Sequence, residues 1–304
     1  MFINYLVIHH YPCADGELSA AIFKNFNNDK LIEFIPWTHE NKDKNMLYIK
    51  EQVTKNNSLE IFFLDYCPDF SFICDIFKNV SKIIIIDHHE AACESFKKSL
   101  ISKSYENLEF IYDNSKSGCQ LTWEYFYPNS KYPLSVKHIG NKDIWNWEDN
   151  KTEPFTNEYP LYFQLSNNLT PEERLSIYNY ILDCDENKFE RIVEKGFLNI
   201  DKMRNECKSY LPLAEIKFDS DCNDKKLKII NISINKPHLT KYMIEFIQSE
   251  FPDADVLRLE KNKDDKIIYS LRSLKSEIRV DLLAQKYGGN GHPLASGYNI
   301  SLIS

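Results

Sequence analysis

An aspartate and two histidines stand together at Asp87-His88-His89, directly after the apolar run Lys82–Ile86. A continuous run of β-branched residues is typical of a strand that is buried on both faces of a parallel sheet. Ligands of open parallel sheets bind just beyond the carboxyl ends of the strands. The run therefore predicts that one carboxylate and two imidazoles lie where active sites of this fold class are found.

Two further apolar segments, Phe2–Ile8 and Leu59–Leu64, are also followed closely by side chains that can ligate a metal. Imidazoles and carboxylates together form the ligand set of divalent transition metals such as manganese, zinc and iron. Carboxylates shared between two ions hold the metal pairs used for displacement at phosphorus. Taken singly, each residue would serve equally well in a strand-end turn or cap. Together, the three strand ends predict a metal centre with these candidate ligands: His9, Cys13, Asp15, Asp65, Asp87, His88 and His89.

The elements that position these residues alternate between strands and helices in the first half of the chain. This alternation predicts an α/β fold with a mostly parallel, doubly wound sheet. A further helix is expected to begin at Ser117, which is a suitable cap. The predicted helices are Gly16–Phe26 and Met46–Thr54, and the predicted strands are Phe2–Ile8, Leu31–Trp37, Leu59–Asp65, Lys82–Asp87 and Leu108–Tyr112.

The second half of the chain predicts a helical connector followed by a smaller α/β domain. From about Pro171 to Tyr210, apolar residues recur at three- and four-residue steps, which is typical of an amphipathic helix. We predict a metal-binding catalytic domain over residues 1–185, a connector over 186–215 and a substrate-binding domain over 216–304. The last of these should contain helices Leu239–Glu250 and Val280–Tyr287 and strands Leu227–Ile232, Val256–Glu260, Ile267–Arg272 and Tyr298–Leu302.

The composition restricts the partners of the protein. Its 304 residues include 45 acidic and 37 basic side chains, which give a net charge of −8. Wide binding to duplex nucleic acid requires a basic surface, so the charge argues against it and favours a short anionic substrate. The eight cysteines form no Cys-x-x-Cys pair and suit free thiols in a reducing compartment. With no long uncharged apolar segment or signal peptide, we expect a cytoplasmic monomer or homodimer without membrane partners.

The tripeptide Asp87-His88-His89 resembles the signature of the DHH phosphoesterase superfamily. Other metal motifs of the superfamily are a histidine followed by acidic positions four and six residues later, a strand-end aspartate, and an aspartate beyond the tripeptide. The run Gly288–Gly297 resembles the glycine-rich signature of the DHH-associated domain. The resemblance extends to oligoribonucleases (nanoRNases) and cyclic-nucleotide phosphodiesterases. The matching metal-motif positions are occupied, in order, by His9, Cys13, Asp15, Asp65 and Asp143.

The resemblance implies a role for each of these residues. Asp65 would bridge two metal ions, one of which would also be held by His9. Asp87 would be either a ligand or the partner that orients His88, as carboxylates commonly orient ligating imidazoles. His89 would face the phosphate of the substrate. The remaining ligands of the second ion would be Asp15, His88 and Asp143.

Three positions leave alternatives open. Cys13 stands where many superfamily members carry a carboxylate, so it is either a soft ligand that favours zinc or iron, or a buried thiol. Asp113 competes with Asp143 for the last metal motif. His10 is a weaker candidate ligand than His9, because neighbouring side chains of a strand point to opposite faces.

The glycine run near the C-terminus predicts contacts with the substrate. Successive glycines let the backbone approach a phosphate and direct amide groups at it, although they would serve equally well to end a helix. An arginine can bind a phosphate through two parallel hydrogen bonds. Arg279 is a less certain candidate than Arg272. The predicted substrate-binding residues are Arg272, Gly289, Asn290, Gly291 and His292.

We predict from these residues a phosphodiesterase or exonuclease that hydrolyses short oligonucleotides, or linear or cyclic dinucleotides, to mononucleotides. Two divalent ions would activate the attacking water, with manganese expected and magnesium, zinc or iron as alternatives. Asp87 and His89 are the candidate catalytic side chains. The alternatives are a polyphosphate or phosphomonoester hydrolase and, in another class, a catalytically impaired relative that only binds nucleotides.

Overall fold

The computed structural model describes residues 3–38, 40–101, 105–157, 169–263 and 265–301. Phe2 and Leu302, which begin and end two of the predicted strands, lie outside these residues. The chain divides into two compact units, Met1–Phe197 and Leu198–Ser304. The predicted α/β class, with a parallel sheet and a smaller C-terminal α/β domain, is confirmed.

The first unit contains a five-stranded parallel sheet in the order β2-β1-β3-β4-β5. It also contains nine α-helices among the described residues, α1 to α9. The described part of α7 is residues 152–157, and α9 continues into the second unit. The strands are β1 (Tyr5–His10), β2 (Ile32–Trp37), β3 (Glu60–Leu64), β4 (Lys82–Asp87) and β5 (Leu108–Tyr112). The helices are α1 (Ala14–Phe26), α2 (Lys42–Lys55), α3 (Phe70–Ile76), α4 (Glu90–Leu100), α5 (Gly118–Phe126), α6 (Leu134–Asp143), α8 (Pro171–Leu182) and α9 (Glu186–Tyr210).

The strand β4 is buried on both faces, as its β-branched sequence predicts. Ile83 and Ile85 belong to one apolar cluster of the first unit, and Ile84 and Ile86 belong to another. Since successive side chains of a strand alternate between faces, these two clusters lie on opposite sides of the sheet. The strand therefore ends, at Asp87, in the middle of a sheet covered on both faces.

The order of the strands defines where a ligand is expected. The chain places β2 on one side of β1 and β3 on the other, so the direction of strand addition reverses at β1. In parallel sheets of this order, ligands bind at the carboxyl ends of the strands that flank this switch point. His10 ends β1, and Asp65 directly follows β3. The topology thus brings the first two motifs of the sequence together.

Of two predicted helical features, the cap of α5 is as expected and the stretch before the second unit differs in detail. Ser117 caps α5 as predicted, because its hydroxyl accepts from the Gln120 backbone while the Gln120 side chain accepts from the Ser117 backbone. The helical pattern from about Pro171 to Tyr210 forms two helices, α8 and α9. The break follows Leu182, and Asp185 starts the second helix by accepting a hydrogen bond of 2.7 Å from the backbone of Lys188.

The second unit contains a six-stranded mixed sheet in the order β10-β11-β9-β8-β7-β6, in which only the β7–β8 pair is parallel. Apolar side chains of β7, β8 and β9 pack against α11 in a buried cluster. The strands are β6 (Glu215–Ser220), β7 (Lys226–Ser233), β8 (Val256–Lys263), β9 (Lys266–Ser273), β10 (Asn290–His292) and β11 (Ala295–Ser301), and the helices are α10 (Thr240–Glu250) and α11 (Val280–Lys286). No described helix has the length and apolarity needed to span a membrane.

Candidate metal centre

Asp65 occupies the centre of the site because the chain leaves the sheet there. Its backbone takes a φ of 55°, in the left-handed region that L-residues rarely adopt and that aspartate tolerates better than most. Its amide still donates 2.9 Å to the carbonyl of Ile86 in the neighbouring strand. Strained backbone of this kind is found at functional sites, where surrounding structure holds it. The turn aims a fully buried carboxylate along the carboxyl edge of the sheet.

One oxygen of Asp65 faces the end of β1. Asp65 Oδ2 lies 3.3 Å from His10 Nδ1. The side chains of His10, Cys13 and Asp65 each offer one ligand atom, and these atoms lie within 4.8 Å of one another. Cys13 reaches this group because it directly precedes α1, at the point where the chain turns back from β1 toward the sheet.

The other oxygen of Asp65 faces a second group of ligands. Asp65 Oδ1 lies 3.2 Å from His88 Nε2, and the same nitrogen lies 3.1 Å from Asp143 Oδ2 and 3.7 Å from Asp15 Oδ2. Asp15, His88 and Asp143 form a candidate metal-binding set of their own. The single carboxylate of Asp65 therefore touches both groups, with one oxygen toward each.

Asp15 is fixed by the beginning of α5. Its Oδ2 accepts a hydrogen bond of 2.6 Å from the Gly118 amide, and its Oδ1 accepts one of 2.9 Å from the Cys119 amide. The first amides of a helix have no partner within the helix and favour an anion. Gly118 is required for the close approach, since a Cβ there would stand 2.7 Å from the Cβ of Asp65.

Four buried atoms at this centre have no hydrogen-bond partner: His10 Nδ1, His88 Nε2 and both carboxylate oxygens of Asp65. Asp65 lies 3.3 Å from His10 Nδ1 and 3.2 Å from His88 Nε2, yet neither contact has the geometry of a hydrogen bond. Buried polar atoms are nearly always paired, and the exceptions call for an explanation such as an ion. Atoms that converge without bonding one another are what a set of metal ligands presents. The donor set of imidazole nitrogen and carboxylate oxygen fits a divalent transition metal.

Asp87 is buried, and it organises the residues around it. Its Oδ1 accepts 2.8 Å from the His88 backbone amide and lies 2.7 Å from His89 Nδ1. Its Oδ2 accepts 3.4 Å from the thiol of Cys93 on α4. Asp87 therefore orients the ring of His89, whereas the resemblance implied that it orients His88. The His89 ring is 46% exposed, so its other nitrogen is available to a substrate.

The charges at the centre shift the pKa values of its members. Burial and the carboxylates of Asp65 and Asp143 hold the pKa of Asp15 well above its usual range. Burial opposes protonation of His88, but the carboxylates of Asp143 and Asp65 outweigh it and raise its pKa to about 11. Burial by itself would raise the pKa of Asp65, yet the imidazoles of His10 and His88 hold it below the usual range. The carboxylates thus create a strong demand for positive charge, which metal cations would meet.

Several known proteins are similar to this chain in sequence or in structure. No family model matches it. A protein of Acanthamoeba polyphaga mimivirus, described as the uncharacterized protein R106, is 26% identical over 316 residues, which is 98% of this chain and 68% of that protein. Magnesium-bound RecJ from Thermus thermophilus has a TM-score of 0.43 at 13% identity, over 98% of this chain and 47% of that one.

The structure of the pGpG-specific phosphodiesterase PggH from Vibrio cholerae is similar over nearly the whole of both chains. Its TM-score is 0.53 at 11% identity, and the match covers 99% of this chain and 94% of PggH. The chain therefore shares the fold of PggH. In this fold, the tripeptide Asp87-His88-His89 spans the last residue of β4 and the two residues that follow it.

The fold separates the two neighbouring histidines of the first motif. The strand β1 continues through His10, which is in register with Trp37 of β2, so the two rings point to opposite faces. His9 is buried with Nδ1 3.2 Å from the carbonyl oxygen of His10, and burial lowers its pKa to about 4. Among the described residues, His9 joins none of the candidate metal groups, whereas His10 does. The role of His9 as a ligand stays a prediction.

The two histidines can be distinguished by substitution. We expect His10→Gln to weaken Mn²⁺ binding by about 10- to 100-fold, because the imidazole beside Asp65 is lost. His9→Gln should have a smaller effect on the affinity. Titration calorimetry with Mn²⁺ on both variants measures the difference. A larger loss in His9→Gln than in His10→Gln would favour the ligand set implied by the sequence.

The helix that carries Asp143 is held by a buried histidine. His138 of α6 has Nδ1 3.0 Å from Thr152 Oγ1, and its ring stacks on Phe189 of α9 with a centroid distance of 4.8 Å. Burial lowers the pKa of His138 to about 4. The imidazole is therefore neutral in the native protein at pH 5, whereas the unfolded chain binds a proton below about pH 6.5.

His138 should make the protein less stable as the pH falls. Because the unfolded state binds the proton first, the free energy of unfolding decreases between about pH 6.5 and 4. From pH 7 to pH 5 this histidine accounts for about 1–2 kcal/mol. Urea unfolding of wild type and His138→Asn at both pH values tests it, and the gap between the two proteins should narrow at pH 5. Parallel pH dependences would contradict the prediction, since His9 affects both proteins alike.

In the second unit, Arg272 and His292 lie on one face of the sheet. His292 of β10 pairs with Ala295 of β11, and Ala295 pairs with Arg272 of β9. Paired residues of antiparallel strands point to the same face, and the small side chain of Ala295 lies between the two basic residues. Arg272 has no acidic partner among the described residues, and burial lowers its pKa. Arg279, by contrast, is paired with Asp281 at 2.6 Å.

The glycine run contains a helix end and a tight hairpin. Gly288 follows α11 with a φ of 72°, and the Gly289 amide donates 2.9 Å to the carbonyl of Ala284. Gly291 has a φ of 145° in the exposed strand β10, where a Cβ would stand 2.5 Å from the Cα of Ser296. Asn290 is also exposed in this strand. These contacts explain the glycines by backbone geometry, and their role in substrate binding stays a prediction.

One candidate of the sequence analysis joins no metal group, and two cysteines that it did not single out lie beside the centre. Asp113, the competitor for the last metal motif, accepts from Ser115 at 2.6 Å in an exposed turn and joins no candidate metal group among the described residues. The thiols of Cys67 and Cys93 lie beside Asp87, and their ligand atoms fall within 4.8 Å of one another. The signal for Cys67 was its place two residues after Asp65, and that for Cys93 was its place in the first turns of α4.

Proposed function

We propose that this protein is a metal-dependent phosphoesterase that cleaves the phosphodiester bonds of short oligonucleotides or dinucleotides, linear or cyclic. The observation that carries the proposal is the position of Asp65, whose two oxygens face two separate groups of ligand atoms. A pair of metal ions that share a carboxylate ligand is the arrangement used for in-line displacement at phosphorus. The similarity to PggH, which is named for its action on pGpG, supports a diester substrate.

Different residues of this chain would bind the metal ions, position the imidazole and bind the phosphate. His10, Cys13 and Asp65 would hold one ion, and Asp15, Asp65, His88 and Asp143 would hold the other. When bound, divalent ions lower the pKa of water to near neutrality and stabilise charge on phosphoryl oxygens. Asp87 would position His89, which would donate a hydrogen bond to a phosphate oxygen. Arg272 and His292 remain the predicted phosphate-binding residues of the second unit.

Manganese is the metal that we propose, in view of the carboxylate-rich ligand set. Cys13 is the exception, since a thiolate prefers zinc or iron. Burial and the carboxylates of Asp65 and Asp15 hold the pKa of the Cys13 thiol well above its usual range, so it is protonated unless a metal displaces the proton. A neutral thiol would leave a weaker site on the His10 side of Asp65.

Replacing Cys13 by aspartate tests this view of the metal. We expect Cys13→Asp to retain or increase manganese-dependent turnover, because a carboxylate oxygen is a harder ligand than sulfur. The kcat/KM of both proteins should be measured with Mn²⁺ and with Zn²⁺, and the preference should move toward Mn²⁺ in the variant. Complete loss of activity with either metal would show that the thiol has a specific role.

The experiment that tests the function compares two substrates. A labelled dinucleotide and a polyphosphate are incubated with the protein and Mn²⁺, and then with an excess of chelator. We expect release of mononucleotides that stops on chelation and is unchanged in the matched control Asp113→Asn. Phosphate release from polyphosphate alone would replace the proposed diesterase by a polyphosphate hydrolase. Tight nucleotide binding with no product from either substrate would indicate a binding protein.

A further inference from the structure

A cavity of ≈ 310 Å³ opens beside the candidate metal centre, within the first unit. Asp65 and His89 form part of its wall, and Trp37, Tyr66 and Tyr11 form much of the rest. Sites for small molecules commonly have volumes of about 300–1,000 Å³, with apolar walls and a few polar groups. The volume of this cavity lies at the lower end of that range, and its wall likewise combines apolar side chains with a few polar ones.

The aromatic wall is built into the same strand ends as the ligands. Trp37 ends β2 and is in register with His10 of β1, and Tyr66 directly follows Asp65. The two rings lie 4.7 Å apart between centroids and are inclined by 32°. Trp37 is nearly inaccessible to solvent, which fixes its orientation. The metal-binding groups and the aromatic surface are therefore held in a constant relation by the first unit.

We propose that this cavity binds the nucleobase of the nucleotide whose phosphate reaches the metal centre. The inference rests on the proposed function and specifies its substrate class as nucleotides rather than polyphosphates. A planar base offers apolar faces that stack on the partly exposed rings of Tyr66 and Tyr11, with Trp37 packed against Tyr66, whereas a polyphosphate has no apolar surface to bury. Base and phosphate are joined through one sugar, so a base in the cavity keeps its phosphate beside His89 and Asp65.

The test compares a diadenylate with analogues that lack one adenine or the other. With Mn²⁺ present, the wild-type protein should cleave the complete dinucleotide with a kcat/KM about 10- to 100-fold higher than that for one of the abasic analogues. Tyr66→Leu and Trp37→Leu should lose this preference by slowing only on the substrates that carry the base. Trp145→Leu is the matched control, since Trp145 is an exposed tryptophan outside the cavity lining.

Each outcome decides the proposal. Equal cleavage of complete and abasic substrates by the wild type would overturn it, as would a loss of preference in Trp145→Leu with none in Tyr66→Leu. Should Trp37→Leu fail to fold, Tyr66→Leu still gives the answer. If no dinucleotide is cleaved although Mn²⁺ binds, the proposed function fails by itself. Calorimetric titration with adenosine 5′-monophosphate then decides the cavity: about tenfold weaker binding to Tyr66→Leu supports it, and equal binding overturns it.

Discussion

Asp65→Asn is expected to lower the turnover of a dinucleotide by about 10³-fold. The carboxylate faces His10 with one oxygen and His88 with the other, so both groups of ligands depend on it. Asparagine supplies one neutral oxygen and an amide nitrogen that does not ligate divalent metals. Asparagine also tolerates the φ of 55° found at this position, so the backbone should keep its turn.

The measurement is kcat/KM for a labelled dinucleotide in Mn²⁺, with Asp113→Asn as the control for the loss of one aspartate elsewhere. Circular dichroism on both variants shows whether the fold is retained. Turnover of Asp65→Asn within a few-fold of wild type would remove Asp65 from its bridging position. Loss of turnover with a retained fold is the expected result.

Arg174→Ala is expected to lower the free energy of unfolding by about 3–5 kcal/mol. Arg174 of α8 donates through Nε and Nη2 to the two carboxylate oxygens of Glu17 on α1, each at 2.5 Å. Both side chains are buried, and the guanidinium also lies 5.3 Å from the ring of Tyr11. Truncation of the arginine leaves the Glu17 carboxylate buried without its charged partner.

Urea unfolding measures this loss, and a double variant provides the matched control. In Glu17→Gln with Arg174→Met, no buried charge is left unpaired, so much of the stability should return. If Arg174→Ala were destabilised by less than about 1 kcal/mol, the pair would behave like an exposed ion pair. Because α1 directly follows Cys13 and contains Asp15, Arg174→Ala should also weaken metal binding.

The sequence predicted best where one physical signal dominated. The predicted bounds of β4, Lys82–Asp87, are the observed ones. Its continuous β-branched run is typical of a buried strand. Two strands of the second unit were missed. In β6, Ile216 and Phe218 alternate with polar residues, a strand signal that the sequence analysis did not use, and the structure leaves the two side chains 50% and 75% exposed. β10 lies within the glycine run, and its strand conformation comes from pairing with β11 rather than from propensity.

The candidate centre was predictable as a set of strand ends, and less so as a set of contacts. Asp15 accepts two hydrogen bonds from the start of α5, more than a hundred residues later in the chain, and no local pattern signals that pairing. The orientation of His89 by Asp87, and the facing of His10 toward Asp65, depend on how the strand ends turn. The spacing of residues in the sequence identifies which side chains lie at the centre. The geometry of the backbone decides which of their atoms contact one another.

The most direct test of the central claim, that Asp65 is shared by two metal ions, is the stoichiometry of manganese binding. Chelator-treated protein is titrated with Mn²⁺ in a calorimeter, and Asp65→Asn is titrated under the same conditions. We predict two ions per chain for the wild type and the loss or marked weakening of both in the variant. A single ion in the wild type, or two ions bound by Asp65→Asn with unchanged affinity, would contradict the bridging carboxylate.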